Sequence, residues 1–82
     1  MFTVYVLYSE KYDKIYIGYT SNLEQRFLSH NELSKTAYTV NYRPWKIIYT
    51  EEFENKKEAM QREKQLKSSL GRNFIRKEIL SQ

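Results

Sequence analysis

The sequence predicts an α+β domain, a three-stranded antiparallel sheet flanked by helices in the order β-β-α-β-α-α. Two β-branched and aromatic runs lie close together, Phe2 to Tyr8 and Lys14 to Tyr19, a third runs from Trp45 to Phe53, and helix-start signals follow the second and third. Eighty-two residues suffice for one core, so a single domain over residues 1–82 is expected. With 40% apolar and 29% charged residues the composition is globular, and no apolar run approaches the roughly 20 residues that span a bilayer. Met1 to Tyr8 lacks the basic head and small-residue cleavage site of a signal peptide, and there is no cysteine, so a cytoplasmic address is expected. With His30 as the single histidine, a structural zinc site of the usual Cys/His kind is excluded.

The first two runs flank the polar stretch Ser9 to Asp13 and read as a hairpin. A period of two puts Phe2, Val4, Val6 and Tyr8 on one face, matched by Ile15, Ile17 and Tyr19 of the partner strand. The register that joins these apolar faces sets Tyr5 beside Tyr16 and Gly18 on the opposite face. Ser21 followed by Glu24 is a capping box, predicting a helix from Asn22 to about Asn31 with Leu23 and Phe27 as its core stripe. Arg26 and His30 then form an i, i+4 pair beside that stripe. Glu32 to Tyr42 shows no sustained period and reads as a loop. Arg43-Pro44 favours extended backbone, and in the strand that follows Trp45, Ile47, Tyr49 and Phe53 are expected to share a face.

Asn55 with Glu58 repeats the capping logic, so a second helix should run from about Lys56 to Leu70, closed by Gly71 as a C′ residue. On its wheel Ala59, Glu63, Leu66 and Leu70 fall together, which puts a carboxylate where the pattern calls for apolar side chains. Such a carboxylate needs a partner, either a neighbouring arginine or a metal ion. Arg72 to Leu80 should form a short last helix anchored by Phe74, Ile75 and Ile79.

The net charge of +4 lies wholly in the second half of the chain. From Arg62 to Lys77 six basic residues face one acid, Glu63. A stripe of this kind suits a polyanion such as nucleic acid, and equally a solvated helix face.

Two tyrosines on one sheet face, an Arg/His pair on the next helix and a carboxylate on the following one make a constellation that resembles the GIY-YIG nuclease superfamily. Its first motif corresponds to Thr3-Val4-Tyr5, its second to Tyr16-Ile17-Gly18, and its helix signature to Asn22, Leu23, Arg26 and His30. The family's metal-ligating acid matches Glu63 four residues after Ala59. The resemblance covers nearly the whole chain and is nearest to the small single-domain branch, akin to the nuclease domain found in excision repair. Thr3-Val4-Tyr5 departs from the family's first motif by lacking its glycine and isoleucine, and Asn73 is the one candidate for an asparagine that many relatives carry after the metal-binding helix.

What the resemblance implies is a metal-dependent endonuclease that hydrolyses DNA, in repair or processing. Tyr5 would be the base for the attacking water, its pKa brought down from about 10 by Arg26, a metal ion or protonated His30. Arg26 would fork onto the phosphate, Tyr16 would orient phosphate or water, and His30 would be catalytic or a hydrogen-bonded core residue. Glu63 would hold one Mg²⁺ or Mn²⁺ with most positions left to water and phosphate. Lys14, Tyr38, Arg43, Lys67 and Arg72 are the candidate DNA-binding residues, by phosphate contact and stacking. Trp45 fits the same groove or the core. Without an appended DNA-binding domain, targeting would come from a protein partner. The alternative is a non-catalytic module that keeps the fold to bind nucleic acid or dock a partner, with Tyr5 and Tyr16 as cross-strand packing. The catalytic reading requires Tyr5, Tyr16, Arg26 and Glu63 to converge on one open concavity.

Overall fold

The computed structural model describes residues 1–33 and 38–80. Strands β1 (Phe2–Ser9) and β2 (Lys14–Thr20) lead into helix α1 (Leu23–Leu28), which continues as a π-helical turn over Ser29–Leu33. A 3-10 turn (Tyr38–Tyr42) precedes β3 (Lys46–Phe53), and helices α2 (Lys56–Lys67) and α3 (Ser69–Phe74) lead into a last π-helical segment, Ile75–Leu80. The strands form one antiparallel sheet in the order β2-β1-β3, the predicted class. No helix among the described residues is long and apolar enough to cross a membrane.

The hairpin register pairs Val4 with Tyr19, Val6 with Ile17 and Tyr8 with Ile15, so the expected apolar faces coincide. The chain reverses over four residues, and Asp13 takes the left-handed conformation at φ 53°, which a short polar side chain tolerates. On one face of the sheet Val4, Val6 and Ile17 bury Ala59 and Leu66 of α2 together with Ile75. On the other, Tyr5, Leu7 and Trp45 pack with Tyr16, Leu23, Phe27 and Tyr42. Both faces are therefore covered, and α1 belongs to the tyrosine side.

Several expectations are corrected. Asn22, not Ser21, caps α1: its side chain accepts from the Gln25 amide at 3.2 Å. Either residue type can cap, and the hydrogen bond from the Asn22 amide to Thr20 Oγ1 holds Asn22 at the turn. The expected single face of Trp45, Ile47, Tyr49 and Phe53 is split by a bulge. Val6 pairs with Tyr49 but Leu7 with Ile47, so Ile48 is an extra residue and the parity of β3 changes there. Tyr49 and Phe53 join the Val4 core while Trp45 joins Tyr5.

The second helix ends at Lys67, not Leu70, and the last begins at Ser69 rather than Arg72. Ser68 is extended, donates its hydroxyl to the Gln65 carbonyl and accepts from the Gly71 amide, ending one helix and starting the next. Gly71 therefore lies inside α3, where its role is space: a Cβ would come within 2.5 Å of Leu66 Cα. Leu70 leaves the stripe and is 81% exposed, and Phe74 is exposed, with its ring edge against Tyr49. Finally, the stretch expected as a loop contains the 3-10 turn, while residues 34–37 lie outside the described residues.

Candidate active site

Alternation along β1 aims Tyr5 at the α1 side, where it pairs with Gly18 across the hairpin while Leu7 pairs with Tyr16. The Tyr5 and Tyr16 rings lie 6.3 Å apart at 28°, close to parallel. Gly18 makes room for Tyr5: a Cβ there would sit 2.6 Å from the phenol oxygen and 2.8 Å from Cζ. Tyr5 is consequently 1% exposed, with its hydroxyl carried to one fixed point.

At that point the oxygen meets His30 Nε2 at 2.9 Å. His30 follows α1 on the π-helical turn, is 5% exposed, and sets its other ring nitrogen, Nδ1, 3.1 Å from Thr39 Oγ1. Its ring also lies 4.6 Å from that of Tyr16. Arg26, one turn earlier, brings its guanidinium to the Tyr5 and Tyr16 hydroxyls. Helical spacing thus delivers a cation and an imidazole to the same two phenols.

Burial pushes the Tyr5 phenol up to about 12; the Arg26 hydrogen bond and charge pull against it, and the nearby Tyr16 and Glu63 add to the rise. The expected lowering of Tyr5 is therefore reversed, because desolvation outweighs the one guanidinium. Burial likewise drives His30 down to about 4, helped by the charges of Arg26 and Arg43, so at neutral pH it is uncharged and does not supply the positive charge anticipated for Tyr5.

An acid-stability test follows. The unfolded chain takes up the His30 proton near pH 6.5 and the folded protein only near 4, so its contribution is complete above about 6.5 and is lost as pH falls through that window. Its loss should cost on the order of 2 to 3 kcal/mol by pH 4. Urea unfolding of wild type and His30→Gln between about pH 7.5 and 4.5 should show a steeper decline in wild type; parallel profiles would contradict the assignment.

Tyr5, Tyr16, Gly18, Arg26 and Glu63 line one open concavity of about 510 Å³, completed by residues that include Thr20, Ser21 and Lys56. It wraps the β2 edge of the sheet, drawing Tyr16 and Gly18 from one face of the strand and Tyr19 from the other. Glu63 is 20% exposed, and its neighbour is neither an arginine nor a buried cation but Lys67, 3.5 Å away at i+4. Among the described residues no three His, Cys, Asp or Glu side chains cluster, and Glu63 is the one carboxylate among those that line the concavity. That donor set fits one hard cation that keeps most of its water.

Residues 1–77 match the GIY-YIG catalytic domain. The chain belongs to the GIY-YIG family. It is 41% identical over 58 residues to a UPF0213 protein of Staphylococcus haemolyticus, covering 71% of each chain. To a UPF0213 protein of Clostridium perfringens it is 44% identical over 64 residues, 78% of this chain and 68% of the relative. A UPF0213 protein of Natronomonas pharaonis is 42% identical over 65 residues, 79% of this chain and 75% of that one. No solved structure matches. Membership implies nuclease-type activity; GIY-YIG nucleases act on DNA and generally use a divalent metal.

Other residues singled out in the sequence take different places in the GIY-YIG domain. Arg43 turns inward, donating from Nε to the His30 carbonyl at 2.7 Å and from Nη2 to that of Ser29 at 3.2 Å. Lys14 sets its ammonium 5.5 Å from the Tyr42 ring, Lys67 pairs with Glu63, and Arg72 and Asn73 are exposed on α3, apart from the concavity. The Tyr38 side chain lies outside the described residues. Trp45 is core. Two participants were missed. Lys56 lines the concavity, and the wheel that carries Glu63 does place it on the same face seven residues earlier. Thr39 carries no sequence signal, since only tertiary contact brings it to His30.

Proposed function

We propose that this GIY-YIG domain is a divalent-metal-dependent endonuclease that hydrolyses DNA phosphodiester bonds, in DNA repair or processing. The observation that carries the reading is the Tyr5 hydroxyl, held between an uncharged His30 and the Arg26 guanidinium at the wall of a concavity that also contains Glu63. A phenol with a pKa of about 12 does not stand as a phenolate at neutral pH. It works as a relay: the attacking water gives a proton to the Tyr5 oxygen as Tyr5 passes its own to His30 Nε2. The new P–O bond forms as the bond to the leaving oxygen breaks, and that oxygen is protonated from solvent. Arg26 forks onto the phosphate and stabilises the charge that builds there, while Tyr16 orients it. Glu63 would hold Mg²⁺ or Mn²⁺, which supplies Lewis-acid stabilisation of phosphoryl charge.

Beside the concavity, and sharing Lys56 with it, lies a shallow hollow of about 560 Å³ bordered by Lys57, Met60, Gln61 and Lys64. Its three lysines form no ion pair with a described residue, which suits phosphates flanking the scissile one.

Glu63→Gln tests the proposal. The substitution breaks only a partly exposed pair with Lys67, itself 51% exposed, so stability should change by about 1 kcal/mol or less. DNA binding should survive and weaken steeply between about 50 and 200 mM salt, as in wild type. Cleavage in Mg²⁺ or Mn²⁺ should fall to background. Full cleavage by the variant would overturn the metal-site assignment, and absence of DNA binding at low salt in wild type would overturn the nuclease reading.

A further inference from the structure

The 3-10 turn at Tyr38–Tyr42 lies outside the residues that line the concavity, yet its fully buried Thr39 side chain touches the relay. We infer that Thr39 is a positioning residue: by accepting the Nδ1 hydrogen it holds His30 in the Nδ1–H tautomer, leaving Nε2 bare toward Tyr5. The inference rests on the proposed roles of Tyr5 and His30, but the tautomer itself is independent of activity.

The direction of the hydrogen bonds follows from what each atom can do. The Tyr5 oxygen is buried, and the nearby Arg26 guanidinium, which has donors only, cannot take its hydrogen. Its own hydrogen must therefore go to an acceptor, and His30 Nε2 stands 2.9 Å away. Leaving a buried hydroxyl without one is costly. An uncharged imidazole that accepts at Nε2 carries its hydrogen on Nδ1, and Thr39 Oγ1 is 3.1 Å from that atom. In the opposite tautomer Nε2–H would donate to Tyr5, and the relay would have no place for the tyrosine's proton.

Thr39 is itself fixed by the segment after it. Its carbonyl accepts from Trp45 Nε1 at 2.8 Å. Trp45 is pinned in turn by Asn31, which accepts from its amide at 2.7 Å and donates to its carbonyl at 3.0 Å. Asn31 is the residue after His30, and Arg43 holds the His30 carbonyl. A closed circuit of hydrogen bonds thus runs from His30 through Thr39 and Trp45 back to the same helical turn. It explains why Arg43 and Trp45 point inward.

His30 is the only histidine in the chain, so with no polyhistidine tag a nitrogen-15 spectrum of the full protein carries one imidazole. Wild type should show protonated Nδ1 and bare Nε2 at neutral pH. Thr39→Val keeps the shape and removes the acceptor; it should shift the population to Nε2–H and lower kcat roughly 10- to 100-fold with KM little changed. Thr39→Ser should restore tautomer and rate together. An Nε2–H ring in wild type, or the Nδ1–H ring persisting in Thr39→Val, would overturn the inference, and the wild-type spectrum decides even where the valine variant fails to fold. A wild type that shows the Nδ1–H ring but cuts no DNA would support the tautomer assignment while overturning both the nuclease reading and Thr39's part in it.

Discussion

Tyr5→Phe should lower the cleavage rate by roughly 10²- to 10⁴-fold, the range associated with loss of a positioned proton-transfer group. KM for DNA should barely move, because Arg26 and the lysines beside the concavity still meet the phosphates. The fold should survive at reduced stability. Without the phenol, His30 Nε2 loses its buried donor, a cost of about 1 to 2 kcal/mol, which in a domain of this size lowers the melting temperature by several degrees. Single-turnover kinetics with enzyme in excess, together with thermal melting, measure both effects. Activity within tenfold of wild type would show that Tyr5 is packing and not part of the relay.

Gly18→Ala should damage activity and stability together, through one collision. The added methyl would lie 2.6 Å from the Tyr5 oxygen and 2.8 Å from Cζ, and the ring is boxed in by the packed core that includes Leu7 and Trp45. Overpacking of this kind costs typically about 1 to 3 kcal/mol. Displacing the hydroxyl from His30 by even part of an ångström should reduce the rate by up to about 10²-fold. The two substitutions should not add in their effect on rate: Gly18→Ala in a Tyr5→Phe background should lower cleavage no further than Tyr5→Phe alone, since both act on the same hydroxyl. Additive rate losses would place the role of Gly18 elsewhere, for example in the approach of substrate to the β2 edge.

The hairpin and its two faces were legible in the sequence because Phe2 to Tyr8 and Lys14 to Tyr19 flank one short polar stretch, and the register that turn sets brings Tyr5, Tyr16 and Gly18 together. The third strand was harder to read. Ile47 and Ile48 are adjacent apolar residues, so either parity fits, and the bulge that resolves them depends on Trp45 packing with Tyr5 while Tyr49 packs with Val6. The break at Ser68 was hidden because Leu70 continues the stripe of Ala59 and Leu66, whereas the chain turns to bring Gly71 against Leu66. The titration of Tyr5 and His30 could not be read either. Charge near both is visible in the spacing of Arg26, but the larger effect is desolvation, which exists only once both cores have closed around the sheet.

The relay and the carboxylate are tested together by a nicking assay on supercoiled, duplex, single-stranded, flap and branched DNA, in Mg²⁺, in Mn²⁺ and in chelator, using wild type, Glu63→Gln and Tyr5→Phe. The account predicts metal-dependent nicks by wild type on at least one of these substrates, none in chelator, and none above background from either variant, while all three proteins bind DNA at low salt. DNA binding by wild type without cleavage of any substrate in either metal, or equal cleavage by Glu63→Gln, would contradict it.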